Sequence, residues 1–235
     1  DGGDPGRHAT EREPARVEGA GKARDDFKNR TDETSREVAA NWDFIFISPC
    51  RWAGKHEWRE KAAAVTHWRS VRAYDADDLE AWLEAAPSVA LWFGELLGLR
   101  GPGIESIDSY WDTWRGQTKA RLTIEAISAG RESCVGAFRD SLSKTPVLIV
   151  LEADSTEEAV AFACAQLLVL GQADSAACIT SPEGWSYVDA NPQLRILVAA
   201  SPEIAARRSA KEGSILIVPV NIGDRPEYFS PLAAQ

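Results

Sequence analysis

"DFIFISPCRWAGKHEWREKAAAVTHWRSVRAY" (residues 43–74) is the stretch that decides the fold class. Its opening, "DFIFIS" (43–48), is a short apolar run of aromatic and β-branched side chains, the composition of a buried strand. A helix is expected from Lys55 to Val65, and "SVRAY" (70–74) reads as a second strand. Strand, helix of about ten residues and strand is the spacing of a right-handed parallel βαβ unit, because parallel strands need a long crossover. The same stretch raises a nucleotide question, since a strand followed by Gly54-Lys55 is how many phosphate-binding loops begin. The spacing G-x-x-x-x-G-K-[ST] answers it. Pro49 stands at the first glycine position, without an N–H and with a fixed φ. His56 stands where the magnesium-holding hydroxyl belongs, and Arg51 and Trp52 fill the turn. As a phosphate loop the stretch fails.

Outward from this unit, residues 1–21 are rich in Gly, Pro, Arg and Glu, with Val17 the only large aliphatic. Such a segment buries too little surface to offset its ordering entropy and is expected to be disordered or a remnant. A helix with a thin apolar face is expected over Lys22–Ala40. After the second strand, Asp75 and Asp77 supply helix-start chemistry. Leu79, Trp82, Leu83 and Ala86 then recur at helical spacing, as do Val89, Trp92, Phe93, Leu96 and Leu97 after Pro87. "GLRGPG" (98–103) reads as a linker, and Ile107, Tyr110, Trp111 and Trp114 as one more amphipathic helix. Strands are expected at 145–153, 175–180, 193–200 and 213–220, with a helix opened by a Ser155-x-x-Glu158 capping box and another over Pro202–Lys211. Alternating strands and helices argue for a small parallel α/β domain.

The 235 residues, 44% hydrophobic and 26% charged, leave room for one large domain or two small ones. A net charge of −10 gives no global basic footprint, so any DNA contact has to come from a local patch. The start on Asp1 and the lack of any Met lead to the expectation of a trimmed or partial sequence. No apolar run approaches the ~20 residues of a membrane span, and no export signal is visible. The cysteines Cys50, Cys134, Cys164 and Cys178 form no Cys-x-x-Cys, and the histidines are not at zinc spacing to them. Reduced thiols and cytoplasmic location are expected.

Other candidate chemistry is thin. The turn "EADSTEE" (152–158) joins a strand to a helix, but it has no glycine or lysine, and its carboxylates would repel a triphosphate. No G-x-S-x-G elbow and no His-Glu-x-x-His occurs. Asp77 and Asp78 sit where metal-binding carboxylates do occur, and helix capping accounts for them equally well. Trp82, Trp92, Trp111 and Trp114 can serve base stacking, but their places on helical apolar stripes favour packing. Arg51, Lys55, Arg59, Lys61, Arg69 and Arg72 form the one locally basic region, for which a solvated face is the simpler reading.

"FIFISPCRW-GK--W" followed by "WRSVRAYDADDLEAWLEAAPSVALWF--LLG" resembles a segment of large bacterial proteins of antiphage type. In these an Mrr-like restriction-endonuclease-like domain precedes a STAND-type NTPase-like region. The resemblance spans roughly residues 22–116, and "AGRE" (129–132) is similar to the entry of STAND and related ATPase domains. It implies a catalytic β-hairpin followed by helix, strand, helix and strand, with Lys22–Ala40, Asp43–Ser48, Lys55–Val65 and Ser70–Tyr74 as the last four. It further implies Mg²⁺-dependent phosphodiester cleavage by an Asp and a Glu-x-Lys or Gln-x-Lys pair on the hairpin, with the carboxylates holding the metal and the Lys assisting. Glu18 matches the Glu, with Lys22 at i+4 rather than i+2. Asp4 is the upstream Asp, so the implied catalytic set is Glu18, Lys22 and Asp4 and the implied metal ligands are Asp4 and Glu18.

The expected architecture is therefore α/β. Residues 1–21 are expected to be disordered or a remnant, 22–98 the C-terminal part of a restriction-endonuclease-like core, 99–143 a Trp-rich helical connector, and 144–235 a P-loop-like α/β domain lacking a phosphate loop. The expected function is a partial or degenerate Mg²⁺-dependent nuclease-like module acting on or binding DNA, an endodeoxyribonuclease if active, with no NTPase activity. The alternative is a non-catalytic interaction or sensor module. Expected partners are DNA and other domains or subunits of a larger defence protein, with oligomerisation open and no membrane.

Overall fold

Phe44 and Phe46 alternate with Ile45 and Ile47 in the first strand, and the structure turns that alternation into an inside and an outside. The computed structural model describes residues 18–222 apart from 100, 118, 145, 146, 207, 209 and 211. The chain divides into two compact units, Asp1–Trp82 and Leu83–Gln235.

The first unit begins with α1 (Glu18–Glu33) and the short α2 (Arg36–Ala39). One helix was expected over 22–40, but Ser35 is extended and its hydroxyl accepts the Val38 N–H, so the chain caps and restarts there. The strands β1 (Asp43–Ile47) and β2 (Ser70–Tyr74) pair in parallel, with Asp43 opposite Ser70 and Ile47 opposite Tyr74. Between them runs α3 (Lys55–Ala64), as the βαβ spacing requires. Phe44, Phe46, Val71 and Ala73 point to one face and are buried there with Ala23, Trp52 and Ala62. Phe27 of α1 meets Phe44 edge-on at 5.1 Å, and Trp52 and Trp58 lie 5.2 Å apart. Such aromatic pairs add about 0.5–1.5 kcal/mol each beyond the area they bury. At the start of the ladder the Arg69 guanidinium forks onto the two Asp43 oxygens at 2.9 Å each, and Ser70 Oγ donates to the same carboxylate at 2.8 Å. After β2 the chain enters α4 (Ala76–Ala85), whose last residues belong to the second unit.

The second unit is mixed α/β. Its helices are α5 (Pro87–Leu96), α6 (Ile107–Arg115), α7 (Ile124–Ser128), α8 (Glu132–Leu142), α9 (Thr156–Val169), α10 (Gly184–Ala190) and α11 (Pro202–Ala205). Its strands are β3 (Ile104–Glu105), β4 (Val147–Ala153), β5 (Ala176–Ile179), β6 (Ile196–Ala199) and β7 (Ile215–Asn221), in the order β3-β5-β6-β7-β4. All neighbours are parallel except β3, which runs antiparallel on the β5 edge. β5, β6 and all but the end of β7 are buried, which is why they read as continuous apolar runs rather than alternating ones. Pro219 is tolerated inside β7 because odd-numbered residues there aim their N–H at β6, as Ile215 does to Arg195 O, and the ladder to β6 ends at Ile217.

One face of this sheet carries α9, whose residues from Ala159 to Leu167 are all buried. A helix buried all round needs cover on its outer side, and α6 and α7 supply it. Ile107, Trp111, Ile127 and Phe138, from the 99–143 stretch, share that buried cluster with Ile149, Val198 and Ile217. The opposite face packs Trp185 and Val188 of α10, Ala205 of α11 and Leu91 of α5. The helix expected to reach Lys211 ends at Ala205. Among the described residues no helix is long and apolar enough to cross a membrane.

Candidate functional site

Lys55 is the first residue of α3, and a cation at a helix N-terminus opposes the macrodipole. The cost is offset by its partners. Its Nζ lies 2.7 Å from Asp75 Oδ1 and also bonds Asp78 Oδ2. The other Asp75 oxygen accepts the Trp52 N–H at 2.9 Å, and Asp78 Oδ2 accepts the Asp75 N–H at 2.9 Å. Asp75 follows β2 directly and Asp78 stands three residues on, so the second carboxylate reaches back as in a capping box. The side chains of Lys55 and Asp75 are 9% and 4% exposed, which makes this the buried charged centre of the first unit.

The electrostatics follow from burial and pairing. Burial pushes the Asp75 carboxyl up, but the Lys55 ammonium and the Trp52 N–H outweigh it and hold the group at about 2. Burial lowers Lys55, and its two carboxylates more than reverse that, so the ammonium is held above its ordinary range. Both groups stay charged through neutral pH. The cluster ties the loop after β1 to the start of α4 and holds the Lys55 amine between two carboxylates, a structural lock rather than a poised acid or base.

The residues implied as catalytic are placed differently. Glu18 is the first residue of α1 and Lys22, exposed, stands four residues further along the same helix. The hairpin strand implied for the Glu and Lys is therefore helix at these positions. Asp4 lies outside the described residues. Among the described residues no three His, Cys, Asp or Glu side chains gather as metal ligands.

The basic region is largely neutralised by its own neighbours. Arg51 pairs with Asp77 at 2.8 Å and Glu80 at 3.6 Å, Lys61 bonds Glu57, and Arg72 reaches Asp43 at 3.7 Å beside the Arg69 fork. The Arg69 guanidinium holds the Asp43 carboxyl well below the usual carboxylate range. The tryptophans divide. Trp111 is buried and stacks with Trp114 at 5.8 Å, whereas Trp82 and Trp92 stay close to half exposed, Trp82 resting 4.6 Å from the Tyr74 ring.

In the second unit the β4–α9 turn is closed by its own side chains. Ser155 Oγ accepts the Glu158 N–H at 3.1 Å, half of the expected capping box. The Glu158 carboxylate does not complete the box, because Arg131 of the "AGRE" motif bonds it. Arg131 also donates to Ile127 O at 3.2 Å, and Gly130 before it takes a φ of 72°. Sequence reasoning missed both charged partnerships. The signals were there: a Lys at a helix start asks for an acid, and Asp75 stands at the end of the neighbouring strand. Compared with known proteins, the chain matches no family model, no curated protein and no solved structure.

Proposed function

We propose that this chain is a degenerate, Mrr-like nuclease scaffold kept as a non-catalytic protein-interaction module of a multidomain bacterial defence-type protein. The observation that carries the reading is the outer face of the β1–β2 sheet, where Ile45 and Ile47 are 49% and 53% exposed beside Tyr74, with Arg72 the exposed charge opposite Ile45. Parallel sheets are ordinarily covered on both faces, and monomers seldom leave contiguous apolar patches open. The parallel strand–helix–strand order supports the scaffold part of the proposal. The ion pairs that occupy Arg51, Lys55, Lys61, Arg69 and Arg72 speak for a protein partner over DNA, since phosphate binding draws on unneutralised cations. For the second unit the same reading is a P-loop-like domain without nucleotide, supported by the acidic, self-capped β4–α9 turn.

Fluorescence anisotropy of a labelled DNA duplex titrated with the chain, with and without millimolar Mg²⁺, tests the proposal. The expected result is no saturable binding at moderate salt. Saturable binding that weakens steeply with salt would return the nuclease reading, which needs several phosphate contacts.

A further inference from the structure

The open face has an edge beside it, and the backbone says which edge it is. Ser48 N–H donates to Tyr74 O at 2.9 Å, so even-numbered residues of β1 turn their main-chain groups toward β2. Asp43, Ile45 and Ile47 turn theirs the other way, and among the described residues none of these groups has a main-chain partner on that side. On this edge the residues with open N–H and C=O groups are thus the same residues whose apolar side chains stand half exposed. On the outer edge of β2 the outward residues are Val71 and Ala73, and their side chains are already buried on the inner face. A strand added at β1 gains main-chain bonds and apolar cover together. A strand added at β2 gains only the bonds.

We propose that the β1 edge pairs antiparallel with β1 of a second copy of this chain, across a two-fold axis at Ile45. This rests on the interaction-module reading and names its partner. The register sets Ile45 against Ile45 of the second copy and Asp43 against its Ile47. All three outward-facing residues then form hydrogen-bonded pairs, about six main-chain bonds in all. The product is a four-stranded sheet in the order β2-β1-β1-β2. The β1–β2 pair is already supported by the helices on its inner face, and the added strands extend the sheet on its open side. Its outer face carries an isoleucine stripe shared by both copies.

Charge selects this register. With Ile45 on the axis the two Asp43 carboxylates sit at opposite ends, roughly 13 Å apart along the strands. A slip that brings Asp43 onto the axis opposes like charges directly, which is destabilising. Arg69 and Arg72 of the same copy already pair with each Asp43, so its carboxylate enters the joint with cations of its own, and the exposed Arg72, opposite Ile45 on the β2 side, keeps its excess charge in water. Pro49 stops pairing beyond Ser48 and fixes the length of the joint.

Sedimentation velocity from low to high micromolar chain, with hydrogen exchange of the Ile45 and Ile47 amides followed in parallel, tests the pairing. Expected are a monomer–dimer equilibrium and amide protection that rises with concentration. Ile45→Lys, at an exposed position the fold tolerates, weakens dimerisation at least about tenfold, the loss of about 1.4 kcal/mol. Val65→Lys, also exposed, leaves it unchanged. A monomer at every concentration, a dimer indifferent to Ile45→Lys, or protection independent of concentration overturns the proposal. The last would mean the chain covers the edge itself. The duplex titration is scored separately, so a monomer that ignores DNA removes only this pairing, and a chain that binds DNA removes the reading beneath it.

Discussion

Replacing Lys55 by Met keeps the aliphatic stem and deletes the charge, so it asks what the buried ion pair contributes. With 9% of Lys55 and 4% of Asp75 exposed, the pair does not belong with surface bridges worth about 0–1 kcal/mol. Breaking a buried pair from one side costs about 3–5 kcal/mol, because the remaining charge is left without compensation. Asp78, 33% exposed, can turn to water and adds little. The expected loss is therefore about 3–5 kcal/mol for the first unit at neutral pH. It has a pH signature. In the native chain Asp75 is held below its unfolded value, but in Lys55→Met the ammonium is gone and burial, the largest influence on the group, pushes the carboxyl up. The Trp52 N–H still bonds Asp75 in that variant and offsets part of the rise; to the extent that the carboxyl is raised it regains stability as pH falls, so the difference between the two chains narrows towards pH ~4. Native-state hydrogen exchange at the Ser48 amide, bonded to Tyr74 O, reads the opening free energy of this unit directly. A loss under about 1 kcal/mol, or one that stays constant on acidification, would refute the lock.

Three further outcomes follow from single observations. Asp75 at about 2 and Asp43 below the carboxylate range both contribute stability that is present above their unfolded pKa near 4. Urea unfolding of the native chain should therefore weaken progressively as pH falls from about 5 towards 2. Gly184→Ala would set a Cβ 2.1 Å from Gly103 O, where α10 meets the entry to β3. Because backbone meets backbone there, a loss of about 3 kcal/mol or more in chemical denaturation is expected, with Gly136→Ala, in open space on α8, close to neutral. Ellman titration should find Cys134 reactive in the folded chain. Cys164 and Cys178 should react only on unfolding, being fully buried, with burial pushing the Cys178 thiol up.

The fold was legible where burial is one-sided or complete. "DFIFI" and "SVRAY" showed their faces through alternation, and the runs at β5, β6 and β7 are buried on both faces and look continuous. β3 was illegible because two residues carry no period, and it exists only because Gly103 allows a close approach and its carbonyl accepts from Thr180 and Ser181. α10 was hidden for a similar reason, as seven residues beginning at Gly184 give barely two turns. The helical stripe read for Trp82 and Trp92 was sound as a period, but a period does not say which stripe finds a neighbour. The Lys55–Asp75 centre escaped because its partners are 20 residues apart and each had a local explanation, one in a phosphate-loop comparison and the other in helix capping. Glu18 and Lys22 came from resemblance alone, and the helix they share follows from the Ala- and Lys-containing run that no strand pattern interrupts.

Plasmid cleavage tests the central claim most directly. Supercoiled DNA incubated with the purified chain and millimolar Mg²⁺ should stay intact, with Glu18→Ala and Lys22→Ala indistinguishable from the native chain. Nicked or linear product that requires Mg²⁺ and disappears with Glu18→Ala would contradict the account and make this module a nuclease.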